Sequence, residues 1–285
     1  MADAMNIDRL REWVGKTEQR TDQIVLAPMA ALAATLGQRK PDPKAGDILP
    51  HLWHWLYFLP TTDRGDIDTD GHPKRGGFLP PVPLSRRMWA AGKLEFARPL
   101  HAAEQVSRRS VILDVALKEG WSGPLIFVRV LHEISGDAGL AIREEQQIVY
   151  RDGKDAGSRQ HAPRLAREDH AWSYEVIPDE VLLFRYSALT FNSHRIHYDL
   201  PYASGIEAYP GLVVQGPLTA TLLMGLLQQS MPDAGVADFS FRAVKPLFCS
   251  VPFLVCGRRE DGKTVGLWAR TPDGELAMEA TATLK

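Results

Sequence analysis

Cysteine is almost absent: Cys249 and Cys256 are the only two in 285 residues. Their spacing fits neither a CxxC redox pair nor a zinc site, so two buried thiols are expected. The chain also lacks an excess of positive charge. Its net charge of −2 gives no argument for nucleic acid or an anionic membrane as a partner. No run of about 18 apolar residues exists, so no transmembrane helix is expected. The beginning, MADAMNIDRLREW, has no apolar signal core. A cytoplasmic protein is the expectation, with the mitochondrial matrix as the alternative. The GxSxG, GxGxxG and GKS/T patterns are missing too, which argues against an α/β-hydrolase, a Rossmann oxidoreductase and a P-loop enzyme.

What remains is ordinary globular composition, with 45% apolar and 24% charged residues. The periodicity predicts helices over 6–15 and 21–36, the second carrying Pro28, which would kink it or move its start forward. Residues 41–60 read as a turn-rich connector. The next stretch, DRGDIDTDGHPKRGGFLPPVPLSRRMW, reads as a long ordered loop of the kind that often carries function. Strands are predicted over 88–96, 105–117, 125–134 and 140–150. The polar, aperiodic stretch 152–173 is the expected linker between an N-terminal unit, 1–151, and a C-terminal unit, 174–285. In the second unit a strand is predicted over 181–186, a polar turn after it, a helix over 216–231, and strands over 239–244, 253–259, 264–270 and 275–283. Helices followed by an antiparallel meander, twice over, indicate an α+β fold with a sheet wrapped over a long helix.

The chemistry concentrates in one turn. Asn192, His194, His197, Tyr198 and Asp199 lie within eight positions. A histidine can move protons in either direction near neutral pH. A single histidine in a polar turn is more often structural. The cluster, with a helix start at Gly216-Pro217 downstream, reverses those odds, because a helix N-terminus favours a negative oxygen.

FNSHRIHYDLPYA followed by GLVVQGPLTATLL resembles the MaoC-like hotdog hydratases and dehydratases. The branch it is most similar to contains the mesaconyl-CoA and itaconyl-CoA hydratases and the type-2 hydroxyacyl-thioester dehydratases. GGFLPPVPLSRRMWAAGKLEF and EEQQIVYR extend the resemblance into the N-terminal half. The resemblance implies a double hotdog, two fused units with the active site between them. It implies a hydro-lyase of α,β-unsaturated acyl-CoA, of short branched or dicarboxylic type, with coenzyme A as part of the substrate and no separate cofactor or metal. The alternatives are a 3-hydroxyacyl carrier-protein dehydratase and a non-catalytic acyl-CoA-binding protein. The sequence is compatible with a homodimer.

Matching the family motif Asp-x-Asn-Pro-x-His puts His197 at the catalytic histidine and Asn192 at the aspartate. An amide orients water but cannot take its proton. The expected catalytic residues are therefore His197, Asn192 and Gly216, with Asp199 or His194 assisting. Substrate binding is expected from His194, Arg195, Tyr198, Val214 and the loop residues Arg86 and Arg87, either of which could clamp a second carboxylate. Arg242 and Lys245 are weaker candidates for coenzyme A phosphates. His51 and His54 lack a third ligand for a metal.

Overall fold

The computed structural model describes residues 6–38, 41–120, 123–153 and 163–285. A short helix, α1 (Ile7–Arg11), is capped by the Asn6 side chain and precedes strand β1 (Thr17–Gln23). Helix α2 (Leu26–Thr35) follows, so the predicted helix over 21–36 loses its first turn to β1. Pro28 sits in the first turn of α2, where it breaks no hydrogen bond. A long irregular connection leads to four strands: β2 (Arg86–Phe96), β3 (Gln105–Gly120), β4 (Gly123–Gly136) and β5 (Gly139–Arg151). Arg86 and Arg87 thus begin a strand rather than end a loop.

The second half opens with β6 (Trp172–Val176), followed by α3 (Glu180–Leu189) and α4 (Leu200–Gly205). The predicted strand over 181–186 is therefore helical. Asp179 caps it by accepting from the Leu182 N–H, and Leu183 and Tyr186 point inward. Helix α5 (Gly216–Ser230) leads into β7 (Val236–Ala243), β8 (Phe253–Arg259), β9 (Thr264–Arg270) and β10 (Leu276–Leu284). Of the stretch expected to be a linker, residues 154–162 lie outside the described residues. Residues 163–171 lie along the second half of the sheet, with Ala166 N–H donating to Gly274 and Ala171 N–H to Gly257.

All ten strands form one antiparallel sheet, in the order β1-β3-β4-β5-β2-β7-β10-β9-β8-β6. The order is a palindrome of roles: in each half an edge strand, helices, a central strand and a three-strand meander follow one another. The halves meet where Ala91–Glu95 of β2 pairs with Asp238–Arg242 of β7. Helix α5 is apolar nearly all round because the sheet curls about it, and it buries Leu218, Leu223, Met224 and Leu227. Among the described residues no helix is long and apolar enough to cross a membrane.

The core of the first half contains an unusual buried acid. Glu144 accepts from the Trp55 indole at 3.0 Å, lies 3.1 Å from His54 Nε2, and accepts from the Gln146 amide at 3.0 Å. Burial would raise its pKa, but these hydrogen bonds and the neighbouring histidines hold it down to about 2. His54 is therefore occupied as a core residue, and His51 packs on Phe96. Removing the carboxylate strands its buried donors. Glu144→Ala is expected to lower unfolding free energy by about 2–5 kcal/mol in denaturant titration, while Glu144→Gln loses less. A stability change near zero would remove Glu144 from the supports of this half.

Candidate active site

A cavity of about 540 Å³ opens between the two halves. Its walls come from Asp70 and His72 in the irregular connection, from Arg86, Arg87 and Trp89 on β2, and from Asn192, His194 and His197 in the turn after α3. Val214, Gly216 and Thr219, at the start of α5, complete it.

The α5 end is fixed by Gln215, the residue before Gly216. Its buried amide donates to the Leu183 carbonyl and to Ser187 Oγ, both at 2.9 Å, which ties α5 to α3. Gly216 is the first helical residue and Pro217 the second. The N–H groups of this first turn have no intrahelical acceptor. A methyl group on Gly216 would find only the Trp89 carbonyl, at 3.9 Å. The protein itself therefore leaves room there, on a surface that faces the cavity.

The turn after α3 places its histidines by backbone contacts. Asn192 Oδ1 accepts from the His194 N–H at 3.1 Å, closing an Asx-turn. Val213 N–H donates to the Ile196 carbonyl, and the buried His197 returns its Nδ1–H to the Val213 carbonyl at 2.7 Å. That bond fixes the tautomer and leaves Nε2 with a lone pair. Burial lowers the pKa of His197 to about 4, against the opposing Val213 bond and reinforced by the charge of His72. His194 is also held below its usual range, by burial first and then by His72 and His197.

The sequence reading did not single out Asp70 or His72. His72 Nδ1 lies 3.0 Å from Asp70 Oδ2, and its ring stacks on His194 at 4.1 Å between centroids. The His194 ring in turn meets His197 edge-on at 5.5 Å. The contact between the two segments is close. Arg195 N–H donates to the Asp70 carbonyl at 2.9 Å, Arg195 Nη1 donates to Thr69, and Ser193 Oγ donates to Gly71. Gly71 has a φ of +90°, and a side chain there would strike the Ser193 carbonyl. The signal in the sequence was the Asp-Gly-His triplet inside the Gly- and Pro-rich loop. Ligand atoms of Asp70, His72 and His194 lie within 4.8 Å of one another. A cation would have to displace the proton that Asp70 already holds on His72, so the set reads better as a proton network than as a metal site.

Three sequence candidates fall outside the cavity wall. Asp199 caps α4, accepting from the Tyr202 N–H at 3.1 Å, and pairs with Arg195 at 2.7 Å. Its position before Leu200-Pro201 is a helix-start signal, which accounts for the side chain without catalysis. Arg195 is spent on that pair and on Thr69. Tyr198 is about half exposed, with its hydroxyl on the Ser193 carbonyl. The two arginines separate as well. Arg86 is locked by Glu207 at 2.6 Å, whereas Arg87 has no ion-pair partner among the described residues. Val214 lines the wall and donates to the Leu247 carbonyl. Lys245 lines it too but pairs with Glu275, and Arg242 lines a separate groove.

Comparison with known proteins agrees with this architecture. The family Hydroxyacyl-thioester dehydratase type 2 matches residues 52–249. The chain is 47% identical to a mesaconyl-C(4)-CoA hydratase of Chloroflexus aurantiacus, across 95% of this chain and 96% of that one. It is 26% identical to a mitochondrial type 2 hydroxyacyl-thioester dehydratase of Schizosaccharomyces pombe, across 82% and 88% of the two chains. The crystal structure of a MaoC-like dehydratase from Phytophthora capsici superposes with a TM-score of 0.66 at 12% identity, covering 99% of each chain. The double hotdog is the fold of this chain.

The open space at Gly216 gives a test that separates packing from ligand approach. Gly216→Ala should keep or slightly raise the melting temperature, since alanine favours a helix by up to about 1 kcal/mol. Turnover of the cavity's ligand should fall by about tenfold or more, as an added methyl pushes the reacting oxygen from the helix N–H groups. Unchanged turnover would show that nothing approaches this backbone.

Proposed function

The chain belongs to the hydroxyacyl-thioester dehydratase type 2 family, a family of hydro-lyases, and we propose that it reversibly hydrates a short enoyl-CoA bearing a second carboxylate. The observation that carries this reading is the meeting, in one cavity, of His197, whose Nδ1 is bound to the Val213 carbonyl, and the N-terminus of α5. In hydration, water adds at C3 of the enoyl thioester and negative charge moves to the thioester oxygen. The N–H at Gly216 is placed to hold that oxygen, an effect worth about 3–4 kcal/mol per well-placed donor. His197 Nε2 is free to accept a hydrogen bond from the attacking water and polarise it. Asn192, on the same wall, supports the turn that carries both histidines. The thioester itself is the electron sink. The Arg87 guanidinium, which faces the same cavity as the histidines and has no ion-pair partner among the described residues, suits a substrate carboxylate, and the likeness to the mesaconyl-C(4)-CoA hydratase of Chloroflexus aurantiacus points the same way.

A panel of enoyl-CoA esters, with and without a second carboxylate, tests the reading through loss of enoyl absorbance. His197→Ala should lower turnover by about 10² to 10⁴ while the protein stays folded. The acidic limb of the pH profile follows from the cavity histidines, His72 and His197, whichever keeps its proton to the higher pH; burial holds both below the usual imidazole range. His197 must be neutral to hold the water, and its pKa is lowered to about 4. The limb should therefore lie well below the usual imidazole value of about 6.5. A limb at or above that value would contradict the role of burial.

The arginines predict selectivity. Arg87→Met should lose most activity on a dicarboxylic enoyl-CoA and spare crotonyl-CoA, a difference of about 2–5 kcal/mol. Arg86→Met should impair both substrates alike, because it strands Glu207. Equal losses from Arg87→Met would assign that guanidinium to coenzyme A or to structure.

A further inference from the structure

Hydration moves a proton as well as a hydroxyl: water at C3 gives up a proton, and C2 must gain one. The histidine turn offers no carboxylate for this transfer. Asn192 is an amide, and Asp199 is committed to α4 and Arg195. Among the described residues two acids line the cavity, and one of them, Glu207, holds Arg86. The other is Asp70.

We propose that His72, backed by Asp70, is the proton carrier of this site, standing in for the carboxylate that the turn lacks. The proposal rests on the hydratase reading above. Four observations support it. His72 lines the same cavity as His197 and Gly216. Its Nδ1–H is held by Asp70 at 3.0 Å, which leaves Nε2 as the basic atom. Asp70 Oδ1 also accepts the His72 N–H at 2.8 Å, so the carboxylate grips both ends of the residue it orients. Finally, the loop is anchored to the histidine turn through Thr69, Asp70 and Gly71, so His72 does not drift from His194.

The two histidines differ in what stands behind them. His197 leans on a neutral carbonyl, which fixes its tautomer but does little for a positive charge. His72 leans on a carboxylate, which stabilises the imidazolium formed when it takes a proton. Burial would raise the Asp70 pKa, yet the hydrogen bonds and charge of His72 hold it well below the usual carboxylate range, so the anion is available. Burial keeps His72 itself neutral at rest, despite Asp70, and Arg87 and Arg75 add to the lowering. The charged and titratable groups facing His72 are thus Asp70 and Arg75 on its own loop, Arg87 on β2, and His194 and His197 on the turn.

The step balances with water alone. The water oxygen bonds to C3 while His72 Nε2 takes one of its protons. The C2–C3 π pair shifts toward C1, giving an enolate whose oxygen lies at the Gly216 N–H. The imidazolium, balanced by Asp70, then gives the same proton to C2 as the enolate collapses. His72 returns to neutral, the hydroxyl is on C3, the proton is on C2, and nothing is oxidised or reduced. His72 is the catalytic residue here, and Asp70 is a positioning residue.

The experiment compares wild type, His72→Gln, Asp70→Asn and His197→Ala, each checked for folding by circular dichroism. Hydration of enoyl-CoA and exchange of the C2 proton of the 3-hydroxyacyl-CoA into deuterated water are measured across pH. His72→Gln should lose about 10² to 10⁴ in both. Asp70→Asn keeps the Oδ1 acceptor, so it should fold and bind substrate with little change in KM. Its kcat should drop, and its acidic limb should move to lower pH, because losing the anion lowers the His72 pKa. A merely structural Asp70 would raise KM or lower the melting temperature and leave the limb in place, which overturns the proposal. So would folded His72→Gln within about threefold of wild type while His197→Ala is inactive, an outcome that leaves the hydratase reading standing. Activity lost on chelation and restored by zinc would replace the proton carrier by a metal site. A wild type that hydrates no enoyl-CoA overturns the hydratase reading and this proposal together.

Discussion

The docking of the 69–72 loop onto the 192–195 turn is the contact on which the rest of the site depends. One segment belongs to the first half of the sheet and the other to the second. Their backbones touch because residue 71 has no side chain, and hydrogen bonds from Ser193 and Arg195 close the seam. Without that seam the cavity would have His194 and His197 on one wall, and the other acid of its lining among the described residues, Glu207, is committed to Arg86. The ten-stranded sheet supplies the frame, since the β2–β7 pairing joins the halves independently of either loop. Arg87 rides on β2 and Gly216 on α5, so the polar groups of the site stand on regular elements except at the seam itself.

Burial then sets the electrostatics. Three imidazoles in a row, with His194 between His72 and His197, cannot all carry charge, and desolvation holds all three below the usual range. The result is a set of neutral bases at ordinary pH, beside the Asp70 carboxylate and the Arg87 guanidinium, which has no ion-pair partner among the described residues. Such a site takes a proton only briefly and returns it readily. That suits an addition whose two halves exchange a single proton. The core of the first half shows the same physics: the Glu144 carboxyl is held below its usual range although buried, because Trp55, His54 and Gln146 surround it with hydrogen-bond partners.

Much of this could be read from the residues. The meander strands and α5 were legible because their apolar patterns are strong and hairpin signals such as Asp273-Gly274 bound them. The edge strands were not. β1 reads TEQRTDQ, with no apolar alternation, because neither of its faces enters the core deeply. α3 was mistaken for a strand because a short apolar run has no decisive period, and the Asp179 cap was the stronger clue. In the site, Asn192, His194, His197 and Gly216 were visible as a cluster close in sequence. Asp70 and His72 were not, because their partners lie far along the chain and only folding brings the segments together. Asp199 was overvalued for the opposite reason. Nearness to His197 in sequence suggested partnership, while its side chain serves the next helix.

Everything in the site turns on one event, the addition of water across the double bond of an enoyl thioester in the cavity between the halves. The most direct measurement is mass spectrometry of the products after the purified protein meets a dicarboxylic enoyl-CoA in heavy-oxygen water. The account predicts an intact thioester that has gained one labelled hydroxyl at C3. An unchanged substrate, or free coenzyme A with the label in a released acid, would contradict it.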